Sequence, residues 1–151
     1  MKRHVPALAI ALALLPAAQA IADAIPIDVK KTNGCGCCLS WMQHLEQHDF
    51  QPTGEDMFGG SLVRFKLDHG VPQRMVSCHT ALVDGYVIEG HVPAADIHRL
   101  LNERPDAVGL AVPGMPYGSP GMGPQDEREA YDVYLIRADG STEVYTRYPG
   151  A

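Results

Sequence analysis

Hydrophobic and polar positions begin to alternate at "AIPIDVKKT", which predicts a first strand from about Ile25 to Lys30. A glycine-containing loop, "NGCGC", follows. "CLSWMQHLEQHD" then changes to a helical period, with Leu39, Met42 and Leu45 on one stripe and Gln43, Glu46 and Gln47 off it. "FQPTGEDMF" is a weaker strand, interrupted by Pro52. "GGSLVRFKLDHGVP" predicts a short helix from about Ser61 to Asp68, stopped by Gly70 and Pro72. The clearest pattern is "TALVDGYVIEGHV": Ala81 to Val83 and Tyr86 to Ile88 flank Asp84-Gly85, a dipeptide that favours a type I′ hairpin turn. "PAADIHRLLNER" predicts a helix with Pro93 in its first turn, Ile97, Leu100 and Leu101 on one face, and Pro105 beyond its end.

Strand, helix, strand, helix, hairpin, helix is the order of an α/β fold of thioredoxin-like type, a mixed sheet with flanking helices. "GLAVPGMPYGSPGMGPQ" is too rich in Gly and Pro for regular structure. Its prolines lower the entropy cost of ordering, which predicts an ordered lid over 112–125 rather than a linker. "AYDVYLIRADGSTEVYTRY" adds a C-terminal β-hairpin turning at Asp139-Gly140. The elements from 25 to 148 are expected to form one domain, which suits a chain of 151 residues.

The first twenty residues follow another logic. Lys2 and Arg3 precede the apolar run "VPALAIALALL", and "AAQA" ends in small residues. This is the pattern of a secretory signal peptide over 1–20, cleaved after Ala20 or as late as Ala24. The run is well short of the ~20 residues that span a bilayer, so no membrane attachment is expected after cleavage. Losing Lys2 and Arg3 takes the formal charge from −6 to −8. An acidic exported domain with no basic stripe is a poor nucleic-acid partner.

Export to an oxidising compartment predicts structural disulfides for four cysteines. Their spacing fits that badly, because Cys35, Cys37 and Cys38 occupy three of four successive positions. Tight loops within that segment constrain the unfolded chain little. Cys35 and Cys38 have the C-x-x-C spacing of a redox pair. Placed at a helix N-terminus, where backbone N–H groups and the helix dipole favour anions, such thiols ionise readily. Three thiolates together repel one another, and a dithiol enzyme has no use for the third. A soft cation removes the conflict. Sulfur-rich sites select Cu(I), zinc or iron–sulfur clusters; zinc commonly shows separated ligand pairs, so Cu(I) is the first choice. Cys78, in "VSCHTALV", stands just before the hairpin, where thioredoxin-like folds usually carry a cis-proline loop against the C-x-x-C helix. There it would complete a four-thiolate bowl, with His79 a ligand or a donor to a sulfur.

"CGCC", "SCHTALVDGYVIEGHVPAADIHRLL" and "GLAVPGMPYGSPGM" together resemble the CopG-type periplasmic copper-resistance family, over about Ile25 to Tyr148. The resemblance implies a thioredoxin-like fold in which Cys35, Cys37, Cys38 and Cys78 hold several copper ions as a thiolate cluster. Gly34 departs from the Thr that often precedes the first cysteine, and "TGEDMFGGSLVRFKLDHG" departs from the usual middle segment.

Met115 and Met122 are thioethers that suit Cu(I), or else plugs that seat the lid on the core. Trp41 is expected to pack beneath the cysteine motif. His44 and His48 are an i, i+4 pair, either chelating or plain helix surface. His91 is expected to cap the following helix rather than to ligate; His69 and His98 read as surface. The leading expectation is a periplasmic Cu(I)-binding protein of copper resistance, with redox change left open and periplasmic copper-handling proteins as partners. The alternatives are a thiol–disulfide oxidoreductase using Cys35 and Cys38, and a disulfide-stapled interaction domain.

Overall fold

In the computed structural model, which describes residues 23–151, seven strands and three helices form one mixed sheet with helices on both faces. The segment read as a signal peptide lies almost wholly outside the described residues. The order is β1 (Ile25–Lys31), α1 (Gly36–Glu46), β2 (Phe50–Asp56), α2 (Gly59–Asp68), β3 (His79–Val83), β4 (Tyr86–Glu89), α3 (Ala94–Glu103), β5 (Gly109–Ala111), β6 (Tyr131–Ile136) and β7 (Thr142–Tyr148). Across the sheet the strands run β2-β1-β3-β4-β5-β6-β7. β1 pairs with β2, and β4 with β5, in parallel; the other neighbours are antiparallel. This is a thioredoxin-like sheet extended by the C-terminal hairpin β6–β7.

The period-two pattern sorts side chains between two cores. Ile27, Val29, Ala81, Ile88, Leu110 and Leu135 face α1 and α3, with Trp41, Leu45, Ile97 and Leu100 packed on them. Val87, Ala111 and Ile136 point the other way, beneath Val71 and Met75. Pro52 is tolerated because β2 is an edge strand, where a missing N–H costs no ladder bond. Asp84 and Gly85 both have positive φ, 45° and 87°, as a type I′ turn requires.

Four expectations are corrected, three of them about where elements begin and which face they bury. Leu39 is 48% exposed, and the buried stripe of α1 is Cys38, Trp41 and Leu45. Cys38, Trp41 and Leu45 stand at i, i+3 and i+7, so the face that meets the sheet carries the third cysteine itself. Gly109–Ala111, read as the head of the irregular segment, is the short strand β5; three residues are too few to show a period. Pro93 precedes the first helical residue of α3 instead of sitting within its first turn.

His91 does not cap α3. The Ala94 N–H is taken by His44 Nε2 at 3.1 Å, across from α1. Burial first, then neighbouring His48, lowers the His44 pKa from 6.5 to about 4. Between these values the unfolded chain binds a proton that the folded one refuses, so this contribution is complete above pH 6.5 and is lost as pH falls towards 4. His79 and His91, whose pKa values burial also lowers, add acid losses of their own, so urea unfolding at pH 7 and pH 5 should show a loss that shrinks by about 1–2 kcal/mol in His44→Gln without vanishing.

Candidate metal centre

The C-terminal end of β1, the first turn of α1 and the residue before β3 meet at one end of the sheet's inner strands. β1 pairs with β3 through Lys31 and His79, so the residues just beyond these strand ends are neighbours. The expected convergence of Cys35, Cys37, Cys38 and Cys78 is present: their sulfurs all lie within 4.8 Å of one another. Cys37 Sγ is 3.5 Å from Cys35 Sγ and 3.8 Å from Cys78 Sγ, and Cys38 Sγ is also 3.8 Å from Cys78 Sγ. Cys35 and Cys38 are joined as a disulfide, while Cys37 and Cys78 are free and half-buried.

Two histidines extend the group from Cys78. His79 Nδ1 is 3.3 Å and His91 Nε2 is 3.1 Å from Cys78 Sγ. Both rings are fully buried. His91 Nδ1–H donates to the Pro120 carbonyl at 2.8 Å, which leaves its Nε2 lone pair facing the sulfur. His79 lies against Trp41, 4.3 Å between ring centroids, so Trp41 packs beneath the motif as expected. His79 Nε2 is buried with no hydrogen-bond partner.

The electrostatics keep these nitrogens neutral. Burial, then His91, then Lys66 hold the His79 pKa well below the ordinary value; burial also lowers His91, partly offset by its bond to Pro120. Burial and adjacent Cys37 push the Cys78 thiol up to about 12. Near neutral pH Cys78 therefore carries its proton, and any cation that binds it must displace that proton.

Sequence reasoning gave His91 the wrong task and missed the support beneath Cys78. The signal for His91 was in the hairpin. Thr80 pairs with Glu89, and two residues further out the same register sets Cys78 opposite His91. The support is a buried ion pair: Lys66 Nζ donates to Glu89 Oε1 at 2.7 Å, with side chains 2% and 0% exposed. Lys66 also donates to Thr80 Oγ1 at 2.7 Å, and Thr80 donates to Glu89 Oε2 at 2.5 Å. Glu89 Oε1 further accepts the Ser77 N–H at 2.6 Å, fixing the backbone just before Cys78 where no proline does so.

The Gly/Pro segment is an ordered cover. Met122 N–H donates to Ser119 O and Gly118 N–H to Met122 O, both at 2.8 Å, and Ser77 Oγ donates to Gly114 O. Met115 is 54% exposed, next to the Gly114 held by Ser77. Met122 is half-buried, next to the Gly121 that lies on α1. The donors that converge are cysteine and histidine. Gly121 has φ +83°, and a Cβ there would fall 2.6 Å from Trp41 N and 2.9 Å from Cys37 O. Gly121→Ala should lift the cover from α1 and cost roughly 1–3 kcal/mol in thermal unfolding.

A cysteine–histidine cluster at the N-terminus of α1 in a thioredoxin-like sheet defines a class: domains with the donor set of a soft-metal site. A family model described as "Protein of unknown function, DUF411" matches residues 75–122, which include Cys78, His79 and His91. Two solved structures, described as copper resistance protein copG forms 1 and 2, match the chain. The first has a TM-score of 0.78 at 47% identity over 84% of this chain and 99% of that one. The second has 0.76 at 46% identity over 83% and 99%. No curated protein matches the sequence. The chain belongs to the CopG family of copper resistance proteins.

Proposed function

We propose that this protein is an exported copper-resistance protein whose reduced cysteines take up Cu(I), several ions per chain, as a thiolate cluster. Cys35, Cys37, Cys38 and Cys78 supply the sulfur, and His79 and His91 supply neutral nitrogen to the Cys78 side. Met115 and Met122 are outer thioether donors. The observation that carries this reading is the approach of four sulfurs within 4.8 Å at a helix N-terminus, with two neutral imidazoles beside them. Soft donors of this kind favour Cu(I) over the hard cations. The N–H groups of the first turn of α1 offset the negative charge of the thiolates.

In this reading 1–20 is removed on export and 25–148 works in the periplasm as one metal-binding domain. Among the described residues no helix is long and apolar enough to cross a membrane. Holding metal at all four sulfurs requires two electrons to open the Cys35–Cys38 disulfide, which couples uptake to redox state. Metal content and thiol count on protein recovered from the periplasm of copper-stressed cells test this. The expected result is bound copper together with four thiols after acid release. Copper-free protein that keeps its disulfide and two thiols throughout would overturn it.

That disulfide favours a second reading, a thiol–disulfide oxidoreductase acting through Cys35 and Cys38. It requires insulin-reductase or isomerase activity that survives Cys37→Ser and Cys78→Ser. The single C-x-x-C pair would suffice for that chemistry, whereas Cys37 and Cys78 are accounted for only by the metal reading.

A further inference from the structure

A recess of about 90 Å³ lies where the cover meets the C-terminal hairpin, walled by His44, Pro93, Pro120, Arg128, Tyr131 and Tyr148. Its polar wall groups are donors in want of an acceptor. Arg128 gives its Nε–H to the Pro149 carbonyl at 2.9 Å, and its other N–H groups meet no acceptor among the described residues. It is half-buried and forms no ion pair among those residues, although the chain carries 18 acidic side chains to 12 Lys and Arg. The Tyr131 hydroxyl likewise makes no hydrogen bond among the described residues. Burial, opposed by Arg128, pushes its pKa up to about 12, so it keeps its proton and donates. His44 accepts the Ala94 N–H at Nε2, which places its own proton on Nδ1. Nearby Asp96 is already occupied, accepting from Tyr148 at 2.7 Å and from Thr146. Tyr131 and Tyr148 stack 4.8 Å apart with 12° between their planes, a flat apolar wall beneath the donors.

We propose that this recess binds the carboxylate of a small monocarboxylic acid, with the Arg128 guanidinium and the Tyr131 hydroxyl as its donors. A guanidinium fork matches the two oxygens of a planar carboxylate. The volume suits a group of a few heavy atoms. Charge selects among oxyanions: Asp96, 3% exposed and bonded to Tyr148, repels a dianion about twice as strongly as a monoanion at the same place. The acid bridges two parts of the fold. Arg128 is seated against the cover, since a Cβ at Gly118 would fall 2.5 Å from the Arg128 Cα, and the next residue, Glu129, donates its N–H to Tyr117 O at 3.0 Å. Tyr131 opens β6, in the sheet. A carboxylate held by both clasps the cover to the hairpin.

The site uses none of the sulfur group and needs no metal, so it is tested on metal-free protein, where its failure leaves the copper reading standing. Sodium acetate is titrated at pH 7 against sodium chloride at constant ionic strength, while nuclear magnetic resonance follows the Arg128 Nε–H and the Tyr131 ring. Saturable shifts are expected, with a Kd on the order of millimolar for so few contacts. Read at the Tyr131 ring, Arg128→Gln should weaken binding roughly tenfold or more. Tyr131→Phe keeps the ring against Tyr148 and should weaken binding roughly three- to tenfold, read at the Arg128 Nε–H. Acetate should also slow hydrogen exchange at the Gly118 and Met122 amides, which bond within the cover. Shifts that grow without saturating, or wild-type affinity in both variants, would overturn the proposal. Unchanged exchange at those amides counts against the clasp, and sulfate bound as tightly as acetate counts against a monocarboxylate.

Discussion

Cys78→Ser should lower Cu(I) affinity by roughly 100-fold or more, measured by competition with a Cu(I) chelator under reducing, oxygen-free conditions. Even outer partners of a metal site are worth 10- to 100-fold, and Cys78 is more than an outer partner. It belongs both to the four-sulfur group and to the group it forms with His79 and His91. Serine keeps the size and exchanges a soft thiolate for a hard hydroxyl that stays protonated. With Cys78 gone, Cys35, Cys37 and Cys38 remain on one turn of α1, and the two imidazoles lose the sulfur that links them to it. His79→Asn should cost less, since it removes a single nitrogen. Equal affinities for wild type and Cys78→Ser would confine copper to the C-x-C-C segment.

The second large effect concerns stability. Glu89→Ala should destabilise the metal-free protein by about 3–5 kcal/mol in urea unfolding, the usual cost of stranding one partner of a buried pair. Lys66 would keep a buried charge with only Thr80 as partner, and the Ser77 N–H would lose its acceptor. Burial raises the Glu89 pKa while Lys66 pulls it back, so the carboxylate depends on the ammonium as much as the reverse. Lys66→Met/Glu89→Leu should recover much of the loss, because an apolar pair of similar volume avoids the desolvation penalty. Metal binding should recover less completely, since Ser77 stays unanchored and Cys78 follows it directly in the chain. A single variant that unfolds like wild type would mean that water relieves the pair.

Much of this was legible in the chain because the informative contacts are local or set by strand register. Cys35, Cys37 and Cys38 share one turn, and the Asp84-Gly85 turn fixes the hairpin that follows Cys78. Trp41 lies one turn beyond the cysteines, so its place beneath them followed from helical spacing. What stayed hidden depends on distant elements. The face of α1 that meets the sheet is chosen by tertiary packing around Trp41, which buries Cys38 and leaves Leu39 exposed. Nothing in the sequence sets Lys66 apart from the other polar residues of its short helix; only the packing of α2 over β3 and β4 reveals its partner in Glu89. His44 took the capping task expected of His91 because α1 passes the N-terminus of α3, fifty residues on. The oxidised state of Cys35 and Cys38 is a matter of electron supply, which spacing does not encode.

Anaerobic titration of the fully reduced protein with Cu(I), followed by thiolate-to-copper absorption and a competing chelator, tests the central claim most directly. More than one tightly held copper per chain is expected, with the signal lost in Cys37→Ser/Cys38→Ser and restored to wild type by neither single change. Less than one tightly held copper per chain, or full retention in the double variant, would contradict a cluster built on these four sulfurs.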